Sequence, residues 1–200
     1  MIDDEERLPG DGLYIRLVRV NDCGERYVSW LLDPEVNRFL ETRFAPQTPA
    51  SVEEFVQRMR ASPDNFLFAI VTSANDMHVG NLKIGPVNWT HRNADISYFI
   101  GEKDAWNKGV ATEAIRVATR VAFDRLGLHR LQAFVYSENR PSAAALERAG
   151  YTHEGTLREK VSVGEGRNDQ LVFGMLASDK RERAIMTLRS DPVRGADNRQ

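Results

Sequence analysis

The chain has 200 residues, a formal net charge of −2 and one cysteine. That length suits one domain with a sizeable core, and the near-neutral charge argues against a nucleic-acid-binding surface. The lone Cys23 excludes an internal disulfide framework and a cysteine-rich metal site, and it reads as a small buried apolar residue.

Residues 1–12 are acidic, with Pro9 and glycines, and read as a flexible arm. The opening Met-Ile-Asp-Asp-Glu-Glu has the wrong charge for a secretion signal. No apolar run approaches the roughly 20 residues of a membrane span, so a cytoplasmic location without membrane contact is the default. Leu13 to Val18 alternates as a first strand. Asp22 and Glu25 have capping-box spacing ahead of a helix reaching about Leu32. Pro34 to Leu40 reads as a helical turn. Thr48-Pro49 and Ser51-x-x-Glu54 open another helix, with Val52, Phe55, Val56 and Met59 as its apolar stripe. Phe66–Val71 and Met77–Ile84 read as strands, with Gly80 a bulge or close-approach position.

The segment from Asp95 to Thr112 is the centre of the chain. Ile96, Tyr98 and Ile100 alternate with Ser97, Phe99 and Gly101, which is strand periodicity. Trp106-Asn107-Lys108-Gly109-Val110-Ala111-Thr112 then turns into a helix running to about Leu126. Val110, Ala114, Val117 and Val121 share one face of it. A helix entered through a glycine turn leaves unpaired N–H groups at its positive end, and Lys108 adds a charge. That is an anion site, and a phosphate is the commonest anion to fill one. The dinucleotide fingerprint and the nucleotide P-loop are both absent. Arg130–Tyr136 is the next strand. Pro141 opens a helix that Gly150 closes, and two strands follow around Gly164-Glu165-Gly166-Arg167. The segment 178–200 reads as a charged tail.

The glycine turn resembles the acetyl-CoA pyrophosphate loop of the GNAT N-acetyltransferases, Q/R-x-x-G-x-G/A. Gly109 and Ala111 match its last two fixed positions, and Trp106 stands where Gln or Arg is usual. W-x-K-G-x-A-T-E-A is the form seen in the branch resembling ribosomal-protein N-terminal acetyltransferases, the RimJ/RimL type. Asn107 replaces a frequent glycine there, and Asn tolerates left-handed geometry. Two more blocks fit that branch. One is Leu126-Gly127-Leu128-His129 followed by Asn139-x-x-Ser142-x-x-x-Leu146-Glu147-x-x-Gly150-Tyr151. The other is Glu154-Gly155-x-Leu157-Arg158 with Asp169. The resemblance implies an α+β GNAT domain over 13–177, with a mixed, mostly antiparallel seven-stranded sheet flanked by helices.

The resemblance also implies a cosubstrate and a site. Main-chain groups of Phe99, Ile100 and Gly101 would pair with the pantetheine arm of acetyl-CoA as an added strand. The amides of Asn107, Lys108, Gly109, Val110, Ala111 and Thr112 would hold its pyrophosphate. Asn139 matches the asparagine that bonds pantetheine, and Ser142 matches a serine near the thiol. Protein-directed relatives use a glutamate on the strand where Val161 stands. Glu159, two residues earlier and so on the same face, is the candidate base. Asp95, Glu41 and a water relay are the alternatives. No ligand spacing among the four histidines implies a metal.

The chemistry is acetyl transfer to a primary amine by direct attack, with no covalent intermediate. A small amine is the first acceptor class, with an amino-sugar nucleotide in front. That acceptor predicts Arg38, Arg43, Phe44, Trp89 and Arg92 converging at the groove. A protein N-terminus is the second acceptor, and a CoA-binding module without catalysis the third reading. The resemblance is compatible with a homodimer.

Overall fold

The computed structural model describes residues 2–179. Its elements in order are β1 (Leu8–Pro9), β2 (Leu13–Leu17), α1 (Glu25–Leu32), α2 (Pro34–Asn37), α3 (Pro49–Ala61), β3 (Phe66–Thr72), β4 (Met77–Ile84) and β5 (Asn93–Ile100). There follow α4 (Val110–Arg120), β6 (Arg130–Tyr136), α5 (Arg140–Ala149), β7 (Thr152–Val163) and β8 (Gly166–Leu176). Among the described residues no helix is long and apolar enough to cross a membrane.

The strands form one sheet in the order β1-β2-β3-β4-β5-β6-β8-β7. Eight strands are present where seven were expected, because the two-residue β1 pairs with β2 inside the segment expected as a flexible arm. Ile2 and Leu8 are buried in the core, and Asp4, Glu5 and Glu6 reach Arg60, Arg19 and Arg125. Exposed ion pairs of this kind contribute up to about 1 kcal/mol each. Burying an isoleucine or leucine contributes about 1.5–3 kcal/mol, so the two apolar side chains are what hold the arm down. The tail expected over 178–200 lies, from residue 180 on, outside the described residues.

Both faces of the sheet are covered. Ile15, Phe68, Ile70, Leu82, Ile96 and Leu131 face α4 and α5, meeting Ile115, Ala118 and Leu146. Leu67, Ala69 and Val71, alternating with them on β3, face α1 and α3, meeting Tyr27, Leu31, Val52 and Val56. Cys23 lies in this second layer, and burial pushes its thiol up to about 11, leaving it un-ionised at neutral pH.

Two helix starts differ from expectation. Asp22 does not cap α1, because both of its oxygens are held by Arg16 at 2.7 Å and one also takes the Arg19 amide. The helix starts two residues later, with Gly24 at its N-cap. The box opening α3 is Thr48 with Ser51, each side chain bonding the other's backbone N–H, so Glu54 takes no part.

Gly80 stands at a bulge between β3 and β4, and a Cβ there would meet the Phe99 carbonyl at 2.3 Å. The decisive break lies one strand further on. β5 and β6 run parallel but pair only at Asn93↔Arg130, Ala94↔Leu131 and Asp95↔Gln132. Beyond them β5 stays with β4 to Ile100 and β6 stays with β8 to Tyr136, so the sheet opens into a wedge.

Candidate active site

The wedge leads into a cavity of about 620 Å³. β5 supplies Ser97, Tyr98 and Phe99; β6 supplies Phe134 and Tyr136; Asn139 and Ser142 come from the start of α5. The opposite wall is Tyr27 and Leu31 of α1, residues 39–42 and 45–47, and Val52, Phe55 and Arg58 of α3.

The edge of β5 that opens onto the wedge has a different phase from the expected one. In antiparallel pairs, alternate residues turn both backbone groups toward the same neighbour. Gly101 N–H bonds Val79 O at 2.8 Å and Gly85 N–H bonds Asp95 O at 2.8 Å. That phase gives the groups of Ser97, Phe99 and Gly101 to β4 and turns those of Tyr98 and Ile100 into the wedge. The Ile100 carbonyl is itself taken, by Trp106 Nε1 at 2.8 Å. Of the three expected pantetheine partners, Phe99 and Gly101 are therefore engaged with β4. The free edge is Tyr98 with the Ile100 N–H.

Trp106 replaces a polar residue of the loop pattern, and its indole ties the loop back to the strand end. A second tryptophan, in the same packing layer, fixes this point as well. Trp30 lies against Gly101, where a Cβ would come within 2.1 Å of it, and its indole N–H donates to Glu102. Between these braces and α4 the chain turns through two left-handed residues, Asn107 at φ 58° and Gly109 at φ 80°. Gly109 is the N-cap of α4, and the first intrahelical bond goes from Glu113 N–H to the Gly109 carbonyl. The amides of Val110, Ala111 and Thr112 are thus left at the positive helix end, beside the exposed Lys108. The unpaired strand edge beside the 620 Å³ wedge, and the amide turn that follows the strand, fit a long, phosphate-bearing thioester.

Asn139 caps α5, its side-chain oxygen accepting from Ser142 N–H at 3.3 Å. Its NH₂ carries no bond among the described residues and lines the cavity. Ser142 Oγ lies 2.8 Å from Tyr98 OH, a partner that strand alternation did not reveal. Burial pushes the Tyr98 hydroxyl up to about 12, the Ser142 contact opposing it, so the phenol stays protonated.

Glu159 is not brought to this site. Three residues, 158–160, bulge out of β7 between the pairs Leu157↔Gln170 and Val161↔Asn168, with Glu159 at φ 52°. The bulge breaks the two-residue period that placed Glu159 on the face of Val161. Its side chain is exposed outside the cavity, and its N–H bonds Asp169. Asp95 holds Gln132 at the closed end of the wedge and does not line the cavity. Glu41 does, as the single carboxylate among the described lining residues. It begins a short 3₁₀ turn, Glu41–Phe44, and accepts a hydrogen bond from Tyr136 OH. Arg43 Nη2 donates to the same hydroxyl at 3.0 Å. Burial, and next the Glu41 contact, raise the Tyr136 hydroxyl above its ordinary value, so it serves as a donor to the carboxylate.

Of the five residues expected at a nucleotide-binding groove, Arg43 lies over Phe44 at 4.1 Å and Arg38 pairs with Glu138 at 2.8 Å. Trp89 bonds Asp64 instead, and the Arg92 carbonyl accepts from His129 N–H at the far end of β6. None of the five is among the residues that line the cavity.

The family model for the acetyltransferase (GNAT) domain matches residues 13–152. A curated relative from Bacillus subtilis, "Probable N-acetyltransferase YjcK", is 30% identical over 182 residues, covering 86% of this chain and 98% of the relative. Among solved structures, a GNAT-family acetyltransferase from Bacillus anthracis superposes with a TM-score of 0.73 at 22% identity, over 86% of this chain and 98% of the other. The spermidine N-acetyltransferase of Vibrio cholerae, solved with CoA and spermine, gives 0.76 at 20% identity, over 84% and 98%. The family match and the wedge with its amide turn agree: this chain belongs to the GNAT acetyltransferases and takes acetyl-CoA as its cosubstrate.

Proposed function

We propose that the protein acetylates the primary amine of a small molecule by direct attack, with Glu41 as the base. The observation that carries this reading is that one cavity holds both the cofactor-side residues Asn139 and Ser142 and a single carboxylate, Glu41. Acetyl-CoA, when bound, supplies an acyl group already activated as a thioester. Tyr98 and Ile100 orient its arm along β5, and Val110 to Thr112 hold its phosphates. Glu41 takes the ammonium proton of the acceptor, directly or through one water, and Tyr136 and Arg43 hold the carboxylate in place. Ser142 gives its proton to the departing sulfur and regains one from solvent, its Oγ held 2.8 Å from Tyr98 OH, which donates to the Ser142 carbonyl.

The walls of the cavity favour a small acceptor over a protein N-terminus. An extended peptide would have to pass between the segment 38–44 and the β7 side of the sheet. Arg43 bridges those walls, donating to Ser162 O of β7 at 2.7 Å, and the Arg38–Glu138 pair ties the same segment to the start of α5. Charge argues against a polyamine. A second and third ammonium would find no further carboxylate among the described lining residues, only the cations of Arg58 and Lys83. The motif form of the glycine turn supports the RimJ/RimL-like branch, whose members resemble one another in this loop whatever their acceptor.

The test is acetyl-CoA consumption with thiol detection on amino sugars, amino-sugar nucleotides, amino acids, polyamines and N-terminal peptides. Turnover confined to the small amines is expected. Turnover confined to peptides would overturn the reading. Tight acetyl-CoA binding with no turnover anywhere would favour a non-catalytic module. Within the active enzyme, Ser142→Ala should lower kcat about tenfold with KM for acetyl-CoA nearly unchanged, since the Asn139 cap uses the Ser142 backbone. An unchanged kcat would remove Ser142 from the mechanism.

A further inference from the structure

The sheet floor of the cavity carries two groups that the transfer chemistry does not use. Asn81 and Lys83 stand two residues apart on one face of β4, opposite Phe99 and Ser97 of β5. Asn81 is 2% exposed, and its Nδ2 is buried with no hydrogen-bond partner. Its orientation is fixed from behind. His78 Nε2 lies 3.0 Å from both the Gly80 carbonyl and Asn81 Oδ1. A nitrogen facing a carbonyl must carry the proton, so it donates and Asn81 presents oxygen to it. The imidazole is wedged edge-on against Trp30, 5.0 Å between ring centres, and burial holds it neutral. The NH₂ group of Asn81 is thereby left for the cavity side.

Lys83 is half-buried beside it and makes no hydrogen bond or ion pair within contact distance among the described residues. Burial works against its charge, and Asp95 nearby on β5 supports it. Arg58, exposed at the rim on α3, lies 5.7 Å from the Phe55 ring centre and is also unpaired. Glu41 and Tyr136 lie across the wedge on the β6 side. Two strand spacings would be on the order of 10 Å, and the opening of the sheet beyond Asp95↔Gln132 sets them further than that from β4. The cavity is therefore bipolar, with a carboxylate at one side and donors at the other.

We propose, resting on the reading above, that Lys83 and Asn81 form an oxyanion subsite, so that the acceptor is an amine carrying a phosphate or carboxylate. The ammonium end meets Glu41 and the oxyanion end meets Lys83, with Asn81 Nδ2 gaining its missing partner. This places the anion of an amino-sugar phosphate on β4, and not on the Arg38, Trp89 and Arg92 side.

The test uses matched pairs against the CoA-loaded protein by titration calorimetry: glucosamine 6-phosphate with glucosamine, and 4-aminobutyrate with butylamine. The expected result is at least tenfold tighter binding of the anionic member in one pair, and that pair names phosphate or carboxylate as the source. Lys83→Gln should reduce the preference below twofold, and Lys83→Arg should keep it, which separates charge from folding. Equal or undetectable binding of both members in both pairs overturns the subsite, as does a preference that survives in Lys83→Gln. Acetyl transfer is read separately with acetyl-CoA. Anion preference without transfer supports the subsite and counts against the transferase reading. Transfer without the preference does the reverse.

Discussion

Gly109→Asp is expected to lower acetyl-CoA affinity at least 100-fold while the protein stays folded. Gly109 sits at φ 80°, and a Cβ built there meets nothing within 4 Å, so a side chain has room. Left-handed geometry costs an ordinary residue about 1–2 kcal/mol, and Asp and Asn less; Asn107, two residues earlier, already adopts it. The carboxylate, however, would stand at the N-cap of α4, where the amides of Val110 to Thr112 await phosphates. Two like charges about 4 Å apart at a protein surface repel by about 4 kcal/mol, and about 1.4 kcal/mol is tenfold in affinity. Gly109→Asn, equal in size and uncharged, separates the effects: it should lose less than tenfold. Calorimetry with acetyl-CoA, beside a thermal melt, checks both. Retained affinity in the aspartate variant would show that the phosphates bind elsewhere.

The loop was legible because its chemistry is local. A left-handed glycine, a helix start and a nearby lysine all lie within five residues, so the sequence carries the geometry of this turn almost whole. What was not legible depends on long-range pairing. The phase of β5 is set by β4 through Gly101 to Val79, and a one-residue difference moves the free edge from Phe99 and Gly101 to Tyr98 and Ile100. Glu159 failed for a related reason. The face argument assumed an unbroken strand, and the three-residue bulge at 158–160 is invisible to alternation. β1 was missed because two residues carry no periodicity, and only the burial of Ile2 and Leu8 in the folded chain shows the arm packed.

Trp106 marks a further limit of motif reading. The motif places Trp106 at the Gln/Arg position of the wider loop pattern but assigns its side chain no role. In the fold it joins the loop to the Ile100 carbonyl, while Trp30 of the same packing layer presses on Gly101. The loop is thus held by two side chains of one layer, which keeps the amides of α4 in position before any ligand arrives. Such preorganisation reduces the ordering cost of binding.

Glu41→Gln is expected to lower kcat about 10²–10³-fold at neutral pH with acetyl-CoA affinity unchanged, the range removal of a general base produces. Glutamine keeps the shape and can still accept the Tyr136 hydrogen bond, so the wall formed by Glu41–Phe44 should remain in place. What it cannot do is take a proton from an ammonium. The deficit should therefore shrink as pH rises, because an increasing share of the acceptor arrives already deprotonated. In the wild type the rate should reach its plateau at a pH below the amine's own titration, and in Glu41→Gln only at that titration. Tyr136→Phe should give a smaller loss, since it leaves the carboxylate and removes one donor that positions it. A pH–rate profile for the three proteins decides the assignment. Parallel profiles with equal kcat would exclude Glu41 and leave proton removal to water, since neither Glu159 nor Asp95 lines the cavity.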